Sequence, residues 1–99
     1  MGQRIDKHGA VAYNTKEISA NYTMTLWDYQ IRVTANSPVI TCVSARGIKG
    51  RRFAIQNTGA GTPSLAFVLS QTMLGETSQT VRQWSNLEFE SNGENWIIV

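Results

Sequence analysis

The 99-residue chain predicts an all-β fold, an antiparallel sandwich or small barrel. Three observations carry this: apolar residues recur with period two, Gly, Pro and Asn punctuate the chain at short intervals, and the surplus polar residues are Thr, Ser, Asn and Gln rather than Lys and Glu. Thr suits the wet face of a strand, and no segment shows the 3.6-residue apolar stripe of a helix.

Residues 1–12 are polar and Gly-containing and read as a flexible or partner-ordered arm. Residues 13–99 read as a single β domain. Tyr29, Ile31, Val33 and Ala35 alternate with Gln30, Arg32 and Thr34 until Asn36-Ser37-Pro38 breaks the strand. Val39 to Val43 is nearly continuously apolar, so both of its faces are expected to be covered. Gly47-Ile48-Lys49-Gly50 forms a turn, and Arg51 to Gln56 resumes with Phe53 and Ile55 on one side. The Gly-rich stretch from Asn57 to Pro63 is a loop. Leu65, Phe67 and Leu69 alternate with Ala66, Val68 and Ser70, Leu74-Gly75-Glu76 turns, and Thr80 to Gln83 is another short strand. Leu87 and Phe89 oppose Glu88 and Glu90. Asn92-Gly93 then suggests a two-residue type I′ turn, which needs positive φ at both central positions. Trp96 to Val99 closes the hairpin with apolar side chains expected to be buried in this domain or against a neighbour. That makes about seven or eight short strands.

Composition narrows the function classes. With 41% hydrophobic and 16% charged residues, the chain is an ordinary folded domain that is light on charge. A domain of this size buries roughly 60–70% of its unfolded surface. A net charge of +2 is too small to imply a nucleic acid or acidic membrane partner. No apolar run approaches the roughly 18–20 residues of a membrane-spanning helix, and the start lacks a signal-peptide core. The single Cys42 excludes an internal disulfide and, within an apolar strand, reads as a small buried hydrophobe.

Catalytic and ligand-binding signals are sparse, and the residues offer no cofactor site. The lone His8 lies beside Asp6 in the arm with no nucleophile placed near it, and one His with one Cys does not make a four-ligand zinc site. Glu88 and Glu90 share a strand face about 6.5–7 Å apart, a spacing within the inverting-glycosidase range, but two glutamates on a polar hairpin face read more simply as solvated. Asn21-Tyr22-Thr23 fits a glycosylation acceptor but reads as a chance match without a secretory signal. The sharpest charge feature is the basic segment Arg46, Lys49, Arg51 and Arg52 around a Gly-x-x-Gly turn. Such a turn clamps phosphates in KH domains, where it joins helices. Here both flanks read as strands and no aromatic platform adjoins it. A β-turn whose charges face water or pair with Asp28, Glu88 or Glu90 is the preferred reading, with docking onto an acidic surface as an alternative.

Six segments in order then resemble a known module: Asn21-Tyr22-Thr23, Asp28-Tyr29-Gln30-Ile31, Val39-Ile40-Thr41, Gly47-Ile48-Lys49-Gly50-Arg51, Phe53 to Gly59, and Asn92-Gly93-Glu94-Asn95-Trp96. Their cadence is similar to the β module of tailed-bacteriophage virion proteins: tail fibres, tail spikes, head fibres and decoration proteins, often at their C-terminal ends. The likeness spans roughly Asn21 to Ile98. It departs in Ser91-Asn92, where an acidic residue often precedes the glycine, and in the more apolar strand from Ser64 to Ser70. The resemblance implies a non-enzymatic structural subunit, a homotrimer attached to other virion proteins, made in the bacterial cytoplasm and resident in the virion. The aromatic payload of three Trp, three Tyr and three Phe independently suggests interfaces, where Trp and Tyr join apolar area to a hydrogen-bonding tip. Trp27, Trp84, Trp96, Ile97 and Val99 are the interface candidates. A module that binds host-surface glycan through exposed aromatics is the alternative.

Overall fold

A computed structural model of the chain describes residues 3–5 and 11–99, with side chains from Asn14 onward. The N-terminal arm expected over 1–12 therefore lies largely outside the described residues. Its described part is the backbone pairing of β1 (Gln3–Ile5) with β2 (Val11–Tyr13), antiparallel.

The remaining strands are β3 (Thr15–Ile18), β4 (Tyr22–Thr23), β5 (Gln30–Val33), β6 (Val39–Thr41), β7 (Arg52–Asn57), β8 (Ser64–Ala66), β9 (Ser78–Thr80), β10 (Asn86–Ser91) and β11 (Trp96–Ile98). They form a five-stranded sheet, β11-β10-β7-β5-β3, and a four-stranded sheet, β4-β6-β8-β9. The described residues contain no helix. All-β is thus the fold class, in two mixed sheets.

The barrel and the purely antiparallel arrangement are corrected. The sheets do not close, and β3 with β5, β5 with β7, β4 with β6, and β6 with β8 all pair in parallel. The reason is the chain path. From β3 to β8 each successive strand joins the other sheet, so every second strand returns to the same sheet in the same direction. Parallel neighbours need long crossovers, and here the intervening strand of the opposite sheet supplies the crossover in place of a helix. Within these two sheets the later pairings, β8 with β9, β7 with β10 and β10 with β11, are antiparallel.

Period-two alternation aims one face of each sheet at a shared cluster. Ile18, Ile31, Val33, Phe53, Ile55, Phe89 and Trp96 come from the larger sheet, Ile40 and Leu65 from the smaller, and Met24, Cys42, Ala45, Met73 and Val81 from the connections. Phe53, Phe89 and Trp96 form its aromatic heart, with ring centroids 5.2–6.1 Å apart and Trp96 edge-on to both phenyl rings. This is the separation at which tilted aromatic pairs attract beyond their area.

Buried polar side chains fix the loops over this cluster. Asn57 donates to the carbonyls of Gly61 (2.9 Å) and Val81 (3.0 Å), and its Oδ1 accepts the Gly59 N–H at 3.0 Å. Gln71 Oε1 accepts the Ala45 N–H at 2.8 Å while its amide donates to Ser44 Oγ at 2.9 Å. Ser91 Oγ donates to the Ala45 carbonyl at 2.6 Å. Each bond satisfies a group that would be costly to bury alone.

Three local expectations are revised. The strand expected to run through Leu69 stops at Ala66, because Leu69 and Ser70 turn at φ 54° and 58°. The strand expected over 80–83 lies at Ser78–Thr80. The Asn92-Gly93 turn is not type I′, since only Gly93 has positive φ. The hairpin loop has four residues between the paired Ser91 and Trp96, and Asn92 Oδ1 accepts the N–H groups of Glu94 (3.0 Å) and Asn95 (2.8 Å). Positive φ at both centres is found instead at Leu69-Ser70, closed by the Gln71 N–H on the Val68 carbonyl, and at Leu74 (54°) and Gly75 (79°), closed by Met73 and Glu76 bonding each other's backbones.

Candidate interaction surfaces

The basic segment forms the turn the sequence predicts, with Gly47 and Gly50 at φ 77° and 88°. Arg51 N–H donates to the Ile48 carbonyl at 2.9 Å, closing the second bend. Its four cations do not converge. Arg52 Nε meets Glu90 Oε1 at 2.7 Å across the β7–β10 pair, the cross-strand pairing that the preferred reading expects. Arg51 turns under the sheet end. Its guanidinium donates to the carbonyls of Leu26 and Asp28 and lies 4.6 Å from the Phe53 ring centroid. Asp28 thus contributes its backbone oxygen to Arg51. Arg46 and Lys49 are exposed and form no ion pair with a described residue. Two cations engaged in the fold and two in water are a poor phosphate clamp.

Arg51 belongs to a web that stiffens the turn from Thr25 to Asp28. Asp28 Oδ2 accepts the Thr25 N–H (2.9 Å), the Thr25 hydroxyl (3.2 Å) and the Tyr22 hydroxyl (2.8 Å), and the Trp27 N–H donates to Thr25 Oγ1 at 3.2 Å. Partial burial, the bond to Asp28 and its negative charge push the Tyr22 phenol up to about 12. At the tip of this web Trp27 is 73% exposed.

Trp84 is 76% exposed, at φ 66°. Its N–H donates to the carbonyl of Asn57, the last residue of β7, at 2.6 Å. Trp27 precedes β5, whose first residue, Gln30, pairs with Ala54 in the first half of β7. The two exposed tryptophans therefore lie toward opposite ends of β7. They do not form one aromatic platform.

Trp96 corrects the interface expectation. It is 1% exposed, within the core. Ile97 and Val99, grouped with it in the sequence reading, are exposed in this chain at 42% and 47%, so they are not buried within the domain. Ile97 sits on β11, the edge strand of the larger sheet, and Val99 directly follows it.

The glutamate pair is occupied. Glu88 Oε2 accepts the Tyr29 hydroxyl at 2.8 Å, and Glu90 binds Arg52. Cys42 is buried, and desolvation pushes its thiol from 9.0 up to about 12, so it stays protonated and inert at neutral pH. Asn21 Oδ1 accepts the Val39 N–H at 2.8 Å and starts β6, which gives that residue a structural task. His8 and Asp6 lie outside the described residues. The residue sequence reasoning missed is Leu74, 74% exposed beside β11. The Leu74-Gly75 turn itself was expected, but a turn signal does not say that its leucine is left in water. No protein-family model, no curated protein and no solved structure matches the chain.

Proposed function

We propose that this chain is a non-enzymatic structural subunit of a tailed-bacteriophage particle: a fibre, or a head- or tail-attached decoration protein. In this reading the two sheets form a sandwich, the subunit assembles as a homotrimer, and it docks onto other virion proteins. One observation carries the proposal: the segments behind the resemblance each serve the scaffold. Gly47 and Gly50 shape a turn, Asn57 ties down the Gly-rich loop, and the Asn92 loop returns Trp96 to the core. Evolution of a site would instead gather polar groups into a concave pocket. The experiment is sedimentation with purified particles: the chain co-pellets at saturable stoichiometry under this reading, and stays in the supernatant at low salt if it is wrong.

A second reading, recognition of host-surface glycan, is favoured by Trp84, an exposed indole flanked by Gln83 and Ser85. It predicts glycan-array binding that Trp84→Ala abolishes while the molecular mass is unchanged.

A further inference from the structure

We infer that the turn 82–85, between β9 and β10, is a stacking platform for a pyranose ring of a glycan, with the Trp84 indole as its floor; the inference rests on the second reading above and builds its site. The Ser85 N–H closes this turn on the Arg82 carbonyl at 3.1 Å, which puts Trp84 at its third position. The φ of Trp84 is 66°, in the left-handed region that glycine or asparagine fills in such turns and that a bulky side chain enters only at a cost. The side chain is also 76% exposed, so burial within the domain does not offset that strain. Backbone strain persists where the surroundings over-determine it, and it gathers at binding sites.

The surroundings here do hold the turn fast. The Trp84 N–H donates to the Asn57 carbonyl at 2.6 Å, and the Asn57 N–H donates to the Ser85 carbonyl at 3.0 Å. Asn57 is buried, with its side chain tied to Gly59, Gly61 and Val81. The loop it anchors lies against the turn after β5. There the Thr62 N–H donates to Ser37 Oγ at 2.8 Å, and Gly61 approaches the Asn36 carbonyl too closely for a Cβ. The indole therefore stands on a fixed base, and less ordering is left for a ligand to impose.

The chemistry of this end selects the ligand. Four connections meet here, 19–21, 34–38, 58–63 and 81–85, linked by Asn36 Nδ2 on the Ser19 carbonyl, Thr62 on Ser37, and the Val81 N–H on the Pro63 carbonyl. Besides Trp84 and Arg82 they consist of Ser, Thr, Asn, Gln, Ala, Gly, Val and Pro. Arg82 is the only charged residue in them and forms no ion pair with a described residue. The connections at the other end hold Asp28, Arg46, Lys49, Arg51, Glu76 and Glu94.

A phosphate backbone or an anionic bilayer calls for clustered cations, and protein interfaces are depleted in Ser and Ala. A sugar ring calls for the set found here. Its C–H face is drawn to the negative π-face of the indole, and its hydroxyls exchange hydrogen bonds with amide, hydroxyl and guanidinium groups. Stacking on a flat indole needs no concave pocket.

The test is binding of the intact chain to two immobilised oligosaccharide panels, one of neutral hexoses and one containing uronic acids, read beside thermal melts. The panels separate the two sources of such a ring. Trp84→Asn is the deciding variant, because asparagine tolerates the left-handed backbone. The expected result is an affinity at least about tenfold lower, with a melting temperature at or above that of the wild type by up to about 8 °C. Trp27→Ala, at the other end, should leave binding unchanged, and Arg82→Gln should weaken binding to the uronic-acid panel alone. A Trp84→Asn variant that melts below the wild type shows that the indole serves the fold, and overturns the proposal. Binding retained by Trp84→Asn overturns this site and leaves glycan recognition standing elsewhere on the chain. A wild-type chain that binds neither panel overturns the site and the glycan reading together.

Discussion

The Arg51 guanidinium lies 4.6 Å from the centroid of the buried Phe53 ring, while its Nη2 donates to the main-chain oxygens of Leu26 and Asp28. One side chain thereby joins the core to the turn that carries the exposed Trp27. Arg51→Lys keeps the charge but loses the planar fork and the flat stacking surface. It should cost about 1 kcal/mol, and Arg51→Ala about 1–2 kcal/mol. At 4–8 °C per kcal/mol for a domain of this size, calorimetry resolves both. Arg52→Ala, which removes only an exposed cross-strand ion pair, should move the melting temperature much less. Equal losses for Arg51→Ala and Arg52→Ala would refute this division of labour.

Asn57 is the strongest single anchor outside the apolar cluster. Truncation to alanine removes the donors to the Gly61 and Val81 carbonyls, while the Gly59 N–H loses Asn57 Oδ1 but keeps the Val33 carbonyl at 3.2 Å. The expected loss is about 2–3 kcal/mol, typical of buried polar groups left without partners. Urea unfolding should show it as a lower midpoint with an unchanged slope. A slope change would instead mean that the loop between Asn57 and Pro63 had melted in the native state.

Two glycines, one in the loop after β7 and one in the turn before it, test close approach against backbone freedom. A Cβ on Gly61 would sit 1.9 Å from the Asn36 carbonyl oxygen, so Gly61→Ala must push two turns apart. Gly47 has φ 77° and nothing within 4 Å of its missing Cβ, so Gly47→Ala meets only the left-handed backbone cost of roughly 1–2 kcal/mol. Gly61→Ala should be the worse of the pair, reaching or exceeding the 1–3 kcal/mol typical of overpacking. Parallel thermal melts of the two variants give the order directly.

These residues also show where the sequence was legible. The alternation in β5, β7 and β10 placed Ile31, Val33, Phe53, Ile55 and Phe89 correctly in the core, because a half-buried strand must alternate. Direction was hidden, since the two-residue period is identical in parallel and antiparallel strands and only the path between sheets distinguishes them. β3 escaped notice because Thr15, Lys16 and Glu17 are all exposed on an edge, leaving Ile18 alone to mark a face. Glu90 was one of three acidic partners the sequence offered the basic turn, and the β7–β10 register is what pairs it with Arg52. Arg51 was not readable, because its acceptors are backbone oxygens 23 and 25 residues away, and backbone acceptors carry no residue signature.

Alkaline pH should weaken the fold. The Cys42 thiol rises from 9.0 to about 12 through burial, and the Tyr22 phenol from 10.0 to about 12 through burial and Asp28. Both groups are neutral when protonated, so above pH 9 the unfolded chain releases protons that the native chain retains. The native state then binds more protons than the unfolded state, and stability falls as pH increases. Their contribution is fully present below the unfolded values and is lost as pH climbs through about 12. Tyr22 is partly solvated, so Cys42 should dominate the onset. Urea midpoints measured from pH 7 to pH 11 should decline from about pH 9, and Cys42→Ala should flatten the first part of that decline despite its lower overall stability.

The Trp96 indole carries the most discriminating substitution. Its ring is the hub of the Phe53–Phe89 cluster, yet its Nε1 is buried without a hydrogen-bond partner among the described residues. Trp96→Ala removes the whole hub and should cost about 3–5 kcal/mol, enough to unfold a marginal domain. Trp96→Phe also leaves a cavity, but it removes an unsatisfied donor whose burial costs roughly 1–3 kcal/mol. The two effects oppose each other, so Trp96→Phe should be nearer neutral than a buried Trp-to-Phe change that breaks a hydrogen bond. Near-ultraviolet circular dichroism and chemical denaturation of both variants give the comparison. A Trp96→Phe loss matching that of Trp96→Ala would mean that the indole nitrogen is satisfied after all.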